Sequence, residues 1–446
     1  MTSKRGVSRR QALKVGAAAA ALPLVHIRSA GAAGKLSVGL WDHWVPGCND
    51  VMKKQIDAWA ETNKVEVKVD FINTLGNKHL LTSAAEAQAK TGHDVLVFLQ
   101  WDALNHSRML EPMDDVMGRL EAKYGKANDI CAWLGKVDGK WRAVPSGTGS
   151  QNKGPCGRIS LLKQHAGLDV QAMYPAKDVQ TDLANQWTFE AHLKAAEACA
   201  KAGVPFAIGT NTNGDSVDTF GSIFAGYGAE LMDAKGKITI DTDNVKQALE
   251  HIQRLVKALP ADAGSYDDAS NNKALIAGKS ALIWNPPSAW AVARRDAPEI
   301  AADCWTFPTP AGPKGRFMPY VPFFWGVWSF SQNKTGGKEL IEYLSQREQT
   351  EPRVTASLGY DIPPFEKMAD FKVWEEVGPP VGTLYSYPTR AVHGAKPHMA
   401  CYPAPPDMAV QIYNRGIMPT MGLKLATGQS IPDVIKWAKG EMEGFR

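Results

Sequence analysis

The chain has 446 residues, of which 44% are hydrophobic and 22% are charged. These proportions fit a globular protein of two or three domains and exclude a disordered polymer, a small disulfide scaffold and a polytopic membrane protein. Six of the 50 basic residues lie in residues 1–32, which contain no acid, so the rest carries 44 basic against 46 acidic residues. A chain so close to neutral gives no argument for binding nucleic acid.

The first 32 residues have the order of a bacterial export signal. A basic region containing Arg9 and Arg10 precedes an apolar run of 11 residues from Val15 to Val25, and small residues end at Ala32. A membrane-spanning helix needs about 20 residues, so we expect a cleaved signal peptide and a periplasmic protein. The paired arginines favour twin-arginine export, and an ordinary Sec signal stays open because Ala12 replaces the usual phenylalanine.

Strands and helices alternate after the signal. The patterns predict strands over residues 35–44, 65–72 and 94–99, and helices over residues 49–63 and 78–90. This alternation predicts a parallel or mixed α/β sheet. Because ligands in such sheets lie beyond the carboxyl ends of strands, Trp41–Trp44 and Gln100–Asp102 are candidate binding segments.

A glycine-rich stretch near residues 147–157 predicts a boundary, and a second α/β region follows. Its predicted elements are helices over 160–166, 188–202, 216–228 and 243–258, a hairpin over 231–240 and a strand over 280–284. The prolines of residues 307–313 predict an extended second crossing. The aromatic run 319–330 is predicted to be mostly core, with Trp325 exposed, and helices are predicted over 336–346, 407–427 and 430–442.

Six cysteines leave two interpretations open. Export would permit disulfides among them, but buried free thiols fit equally well, and no CxxC pair is present. His393, His398 and Cys401 form a metal-like cluster whose spacing matches no established site, so no metal is predicted.

The sequence lacks the GxSxG, P-loop, GxGxxG and HExxH motifs of common enzymes. We therefore predict a protein that is not an enzyme and carries no cofactor. Two alternatives stay open: an exported cofactor-bearing enzyme, and a glycan-active enzyme that uses paired carboxylates.

A series of short motifs occurs in order along residues 35–446. They include Leu110-Glu111-Pro112-Met113-Asp114-Asp115, Gln186-Trp187-Thr188-Phe189-Glu190, and segments at residues 138–145, 229–243, 276–290, 326–334, 358–363 and 428–435. With these motifs the chain resembles the family 1 extracellular solute-binding proteins, the maltose-binding-like receptors of ABC importers.

The resemblance implies a two-lobe periplasmic-binding-protein (Venus-flytrap) fold of the α/β class, with a hinge between discontinuous lobes. Lobe 1 would comprise residues 33–147 and 311–364, and lobe 2 residues 148–310 and 365–446. The implied function is capture of a carbohydrate or polyol by hinge closure and delivery to an ABC permease in the inner membrane. The protein is expected to be a monomer.

Sugars and polyols present hydroxyl groups beside apolar C–H faces, so their sites combine aromatic rings with hydrogen-bonding side chains. The candidate solute-binding residues are Trp41, Asp42, His43, Trp44, Gln100, Trp101, Asp102, Trp284, Asn285, Trp325 and Tyr360. Core packing is the alternative for each tryptophan, and helix capping or pairing with hinge arginines is the alternative for the two aspartates. For His43 it is a surface position or a structural hydrogen bond.

Overall fold

The fold is built on two separate β-sheets. A computed structural model describes residues 34–176, 181–285, 288–383 and 394–445, and the predicted signal peptide lies outside these ranges. The strands are β1 Lys35–Trp41, β2 Glu66–Ile72, β3 Val95–Leu99, β4 Lys136–Val137, β5 Lys140–Trp141, β6 Val144–Asn152, β7 Pro155–Arg158, β8 Leu282–Trp284, β9 Cys304–Thr306, β10 Arg316–Val327 and β11 Ala395–His398.

The larger sheet has six strands in the order β11-β10-β3-β1-β2, and β6 also pairs with β10. Strand β1 is parallel to β2, with Lys35 opposite Glu66, and also parallel to β3. Strand β10 runs antiparallel to β3 and β6. The sheet is therefore mixed, as the alternation of strands and helices predicted. The smaller sheet is antiparallel, in the order β8-β7-β9.

Helices cover the sheets. The α-helices are Cys48–Asn63, Lys78–Ala89, Asp102–Asn105, Asp114–Tyr124, Asp129–Gly135, Ile159–Ala166, Val170–Met173, Phe189–Lys201, Gly214–Tyr227, Asp243–Leu255, Ser270–Ile276, Ser288–Asp296, Pro298–Ala302, Lys334–Leu344, Arg347–Ala356, Val373–Glu376, Pro406–Asn414, Ile417–Ala426 and Ile431–Glu443. Several of them begin at polar side chains that accept a hydrogen bond from the first turn, among them Thr188, Asn213 and Thr242.

Two predicted elements differ from the observed ones. The single helix predicted over residues 407–427 is interrupted, because Gly416 has a left-handed φ of 58° between two separate helices. A Cβ at Gly416 would lie 2.7 Å from Thr212 Cα, so the close packing favours glycine there. The hairpin predicted over residues 231–240 is reduced to an isolated bridge between Met232 and Ile238.

The chain passes between the two sheets where β6 leads into β7 and where β9 leads into β10. The first crossing lies at residues 153–154, beyond the predicted boundary at 147, and the second spans residues 307–315, which include the predicted boundary at 310. Beyond the third predicted boundary, Phe365 still packs on Tyr124, and Asp370 pairs with Arg347 at 2.7 Å. The exact division of the chain into lobes stays a prediction.

Tryptophan and phenylalanine fill the core. Phe324, Trp325 and Trp328 of the aromatic run are at most 1% exposed, which confirms that the run is mostly core. The expectation that Trp325 is exposed is wrong, because β10 lies between β3 and β6 inside the sheet. All six cysteines are free thiols, and Cys401 alone among them is not fully buried.

Candidate functional site

A cleft of about 830 Å³, including its mouth, lies between the two sheets. Its walls come from the ends of β1 and β3, the segment after β6, and the helices that begin at Gly214 and Pro406. It is concave and combines aromatic side chains with a few polar ones, as sites for small organic solutes do. The cleft is therefore the candidate binding site.

One wall of the cleft is aromatic. Trp41 stacks on Tyr360 with ring centroids 6.1 Å apart and planes at 23°, and it meets Phe323 edge-on at 5.1 Å. Trp44, three residues beyond Trp41, lines the same space and is half-buried. Flat rings of this kind provide apolar surfaces for the C–H faces of a solute.

Another part of the lining forms a charged wall. Lys153 follows β6, and its Nζ lies 2.7 Å from Asp215 Oδ1 and 2.8 Å from Asp218 Oδ2. Asp218 Oδ1 also accepts a hydrogen bond of 2.9 Å from the hydroxyl of Tyr413. Burial acts to lower the pKa of Lys153, but the two carboxylates more than offset it, so the pKa is raised and the lysine is charged.

A chain of amides continues this wall. Asn271 Nδ2 donates to Asp215 Oδ2 at 2.8 Å, and Asn285 Nδ2 donates to Asn271 Oδ1 at 2.8 Å. Asn285 also donates to Asn272. These bonds fix the orientation of Asn285, which lines the cleft at the end of β8.

Several residues that line the cleft have buried side-chain polar atoms without a hydrogen-bond partner within the described part of the chain. These atoms are Trp41 Nε1, both ring nitrogens of His79, Gln151 Oε1 and Asp268 Oδ1. Each such atom costs about 1–3 kcal/mol when it is left without a partner. Burial lowers the pKa of His79 to about 4, so its neutral ring offers one donor and one acceptor. The set mixes donors and acceptors, which is what a hydroxyl-bearing solute requires.

Asp268 differs from the other carboxyl groups of the cleft. Burial and the neighbouring Asp215 raise its pKa to about 7, although Lys153 opposes the shift. Burial also raises the pKa of Asp218, again against the effect of Lys153. Asp215 and Asp218 contact Lys153, whereas Asp268 Oδ1 has no hydrogen-bond partner among the described residues.

Five of the eleven predicted site residues line the cleft, namely Trp41, Trp44, Gln100, Asn285 and Tyr360. Gln100 reaches it because the chain turns directly after β3, where Gln100 has a left-handed φ of 46°. Their contact with a solute stays a prediction.

The other six predicted residues lie outside the lining of the cleft. Asp42 accepts a hydrogen bond of 2.7 Å from Asn49, and His43 Nε2 lies 3.2 Å from both carboxylate oxygens of Asp361. Val45 N donates to His43 Nδ1 at 2.9 Å, so the ring proton is on Nε2 and points at Asp361.

The three tryptophans and Asp102 among these six residues are buried and make structural contacts. Trp101 Nε1 donates to Ala400 O at 3.2 Å, and Asp102 accepts a hydrogen bond of 2.7 Å from Ser83. Trp284 Nε1 donates to His192 Nε2 at 3.2 Å. Trp325 is 1% exposed, and the Arg353 guanidinium lies 5.5 Å from its ring centroid.

Sequence reasoning missed the polar half of the cleft. The missed residues include His79, Gln151, Lys153, Asp215, Asp268 and Tyr413. A usable signal was the polar run Gln151-Asn152-Lys153 at the end of the glycine-rich crossing, since a crossing between lobes also borders the cleft.

No group of three His, Cys, Asp or Glu side chains within the described ranges is placed to hold a metal ion. His393 of the metal-like cluster lies outside those ranges, as do Pro286 and Pro287 beside the candidate residue Asn285. Burial lowers the pKa of His398 to about 4.

The profile of the family described as bacterial extracellular solute-binding protein matches residues 54–378. A relative from Deinococcus radiodurans, named as a probable ABC transporter-binding protein, is 32% identical over 191 residues. That stretch is 41% of this chain and 44% of the relative, so the match spans less than half of the relative's length.

Solved structures share the architecture over nearly the whole chain. Maltose-bound MalE3 of T. maritima has a TM-score of 0.73 at 20% identity and covers 93% of this chain and 100% of its own. A Thermotoga lettingae solute-binding protein with bound α-D-tagatose has a TM-score of 0.71 at 16% identity and covers 92% of this chain and 99% of its own. An Agrobacterium radiobacter solute-binding protein in complex with ribitol has a TM-score of 0.70 at 14% identity and covers 93% of this chain and 100% of its own.

The fold is that of the two-lobe periplasmic binding proteins, with a mixed α/β sheet and many helices. The chain belongs to the family of bacterial extracellular solute-binding proteins. This family consists of binding proteins and not of enzymes, and it acts outside the cytoplasm. None of the helices in the described ranges is both long and apolar enough to cross a membrane.

Proposed function

We propose that this protein is the periplasmic receptor of an ABC importer and that it binds a carbohydrate or polyol in the cleft. The observation that carries the proposal is a cleft lined both by aromatic rings and by residues whose buried donors and acceptors lack partners among the described residues. Hydroxyl groups can both donate and accept, so a polyhydroxylated solute satisfies Trp41 Nε1, His79 and Gln151 together. Its C–H faces would pack on Trp41 and Trp44.

Similar proteins of known structure support this substrate class. Structures with the same fold are described with maltose, α-D-tagatose or ribitol bound. The Deinococcus radiodurans relative is described as a probable ABC transporter-binding protein. In this proposal the permease partner lies in the inner membrane and the receptor is a monomer.

Closure of the lobes would couple binding to delivery. A solute that contacts Trp41 on one side and Asn285 on the other binds the closed state better than the open one, because only closure brings both walls to it. The difference in affinity between the two states drives closure. The permease would then recognise the surface that the two closed lobes form.

Thermal unfolding with a library of sugars and polyols tests the proposal. A solute at about 100 times its dissociation constant adds roughly 2.7 kcal/mol to the free energy of unfolding. Small-angle scattering with the responding solute should show a smaller radius of gyration. A library without any response, or turnover of a glycan, would contradict the proposal.

We also propose that export uses the twin-arginine route. Changing Arg9 and Arg10 to lysine should stop export of the full-length chain, and mass spectrometry of the exported protein should place its first residue at Ala33. Continued export of the double-lysine variant would instead indicate the Sec route.

A further inference from the structure

The ionisable groups of the cleft do not balance. Among its described lining residues, Lys153 is the one cation, and it already contacts Asp215 and Asp218. Asp268 is a further carboxyl group on the same wall, and its Oδ1 is buried without a partner among those residues. His79 adds no positive charge because its ring is neutral. When Asp268 is ionised, the cleft therefore carries an excess of negative charge over the one cation.

The surroundings of Asp268 disfavour two simple ways of supplying a balancing positive charge. A bound metal ion would need several ligands, and no group of three His, Cys, Asp or Glu in the described part of the chain could hold one. An anionic solute would add to the excess of negative charge from Asp215, Asp218 and Asp268. Below about pH 7 a proton on Asp268 supplies that charge, and above it a solute with its own positive charge would do so.

The aromatic wall also suits a cation. Trp41, Trp44 and Tyr360 line the same cleft, and the faces of such rings attract ammonium groups. An ammonium group has three donors and no acceptor, so it matches a carboxylate oxygen that lacks a partner. The hydroxyl groups of the same solute would use His79 and Gln151.

We propose that the solute carries a protonated amine among its hydroxyl groups and that Asp268 accepts a hydrogen bond from this amine. Aminated polyols and amino sugars are the chemical class that fits. This inference rests on the proposed function, since it assigns a substrate class to the same cleft. It also implies discrimination against acidic sugars.

Matched triples of compounds test the charge preference. Each triple contains an alditol, its 1-amino-1-deoxy derivative and the corresponding aldonate, built on ribitol, D-glucitol and maltitol. Dissociation constants are measured by calorimetry at pH 8, where Asp268 is mostly ionised and the alkylamine is protonated. We expect the amine of the best-fitting triple to bind at least about tenfold more tightly than the alditol, with the aldonate weakest.

The variant Asp268→Asn tests the assigned residue, because it keeps the shape and removes the charge. Its amine and alditol affinities should agree within about threefold. Asp262→Asn is the matched control, since Asp262 is an exposed carboxyl group of the same loop outside the cleft lining, and it should keep the preference. Thermal unfolding of both variants checks that they are folded.

The outcomes separate this inference from the proposed function. Binding of alditols without a preference for amines would overturn the inference and leave the carbohydrate function in place. An amine preference that persists in Asp268→Asn would overturn the role of Asp268. If no triple and no member of the sugar library binds, both proposals fail.

Discussion

Lys153 Nζ lies 2.7 Å from Asp215 Oδ1, and the two residues form an ion pair in the charged wall of the cleft. The lysine follows β6, a strand of the six-stranded sheet, and the aspartate lies in the first turn of the helix Gly214–Tyr227. Lys153 is 5% exposed, and it also contacts the fully buried Asp218 at 2.8 Å. One cation thus bridges two carboxyl groups that would otherwise repel each other.

Lys153→Met is expected to lower the free energy of unfolding by about 3–5 kcal/mol, because it leaves two buried carboxylates without their partner. Urea unfolding at neutral pH measures the loss. Lys163→Met is the control, since Lys163 and Asp169 form a solvent-exposed pair whose loss should cost at most about 1 kcal/mol. Equal effects of the two substitutions would show that the buried lysine has no special role in stability.

Asp268→Asn should raise the thermal stability of the solute-free protein, and the gain should grow with pH. The pKa of Asp268 is about 7 in the folded protein, against an ordinary value of 3.8, so the folded state binds the proton more tightly than the unfolded chain does. The proton on Asp268 stabilises the folded state fully below pH 3.8, and this stabilisation is lost as the pH rises through about 7. Differential scanning calorimetry at pH 5 and pH 8 should show the larger difference between variant and wild type at pH 8.

A constant difference between the two proteins at both pH values would contradict this assignment. Asp215, Asp218 and Lys153 also face Asp268, but they are present in both proteins. Their titration therefore cancels to first order in the comparison.

The overall architecture was predictable because helices and strands have regular apolar spacing. The segment Cys48–Asn63 buries Met52, Ile56 and Trp59 at helical spacing, and the sequence shows this directly. The strand β10 was predicted only as an aromatic run, because a strand buried on both faces lacks the alternation that identifies half-buried strands. The break at Gly416 depends on packing against Thr212, which is distant in sequence.

The binding site was predictable only where it follows strand ends. That rule located Trp41, Trp44 and Gln100, which line the cleft. It also selected Trp101 and Asp102, which lie outside the cleft lining. Asp102 begins a short helix that turns its side chain toward Ser83. The charged wall combines segments more than 50 residues apart, so no local pattern marks it.

His192→Gln should make the protein less sensitive to acid. Burial lowers the pKa of His192 to about 3 in the folded protein, against an ordinary value of 6.5. A group with a depressed cationic pKa contributes stability above 6.5 that is lost as the pH falls below it, because the unfolded chain gains the proton first. Glutamine can still accept the hydrogen bond from Trp284 Nε1.

Between pH 7.5 and pH 4.5 the variant should lose about 2–3 kcal/mol less stability than the wild type. Urea unfolding at the two pH values measures this difference. The neighbouring His251, whose pKa burial lowers to about 4, is unchanged in the variant and should keep part of the acid sensitivity. Identical acid losses in both proteins would mean that His192 is not held neutral by its surroundings.

Trp44→Ala should weaken solute binding by about tenfold or more and change stability little. Trp44 is half-buried and lines the cleft, so its removal takes away a stacking surface without opening a cavity in the core. Trp41 is less suitable, because it is 4% exposed and packs against Phe323 and Tyr360, so its truncation would also disturb the fold. Trp437→Ala is the matched control, since Trp437 is half-buried beside Lys424 and lies outside the cleft lining. Calorimetry with the tightest-binding compound of the matched triples compares the three proteins, and equal affinities for wild type and Trp44→Ala would remove Trp44 from the binding surface.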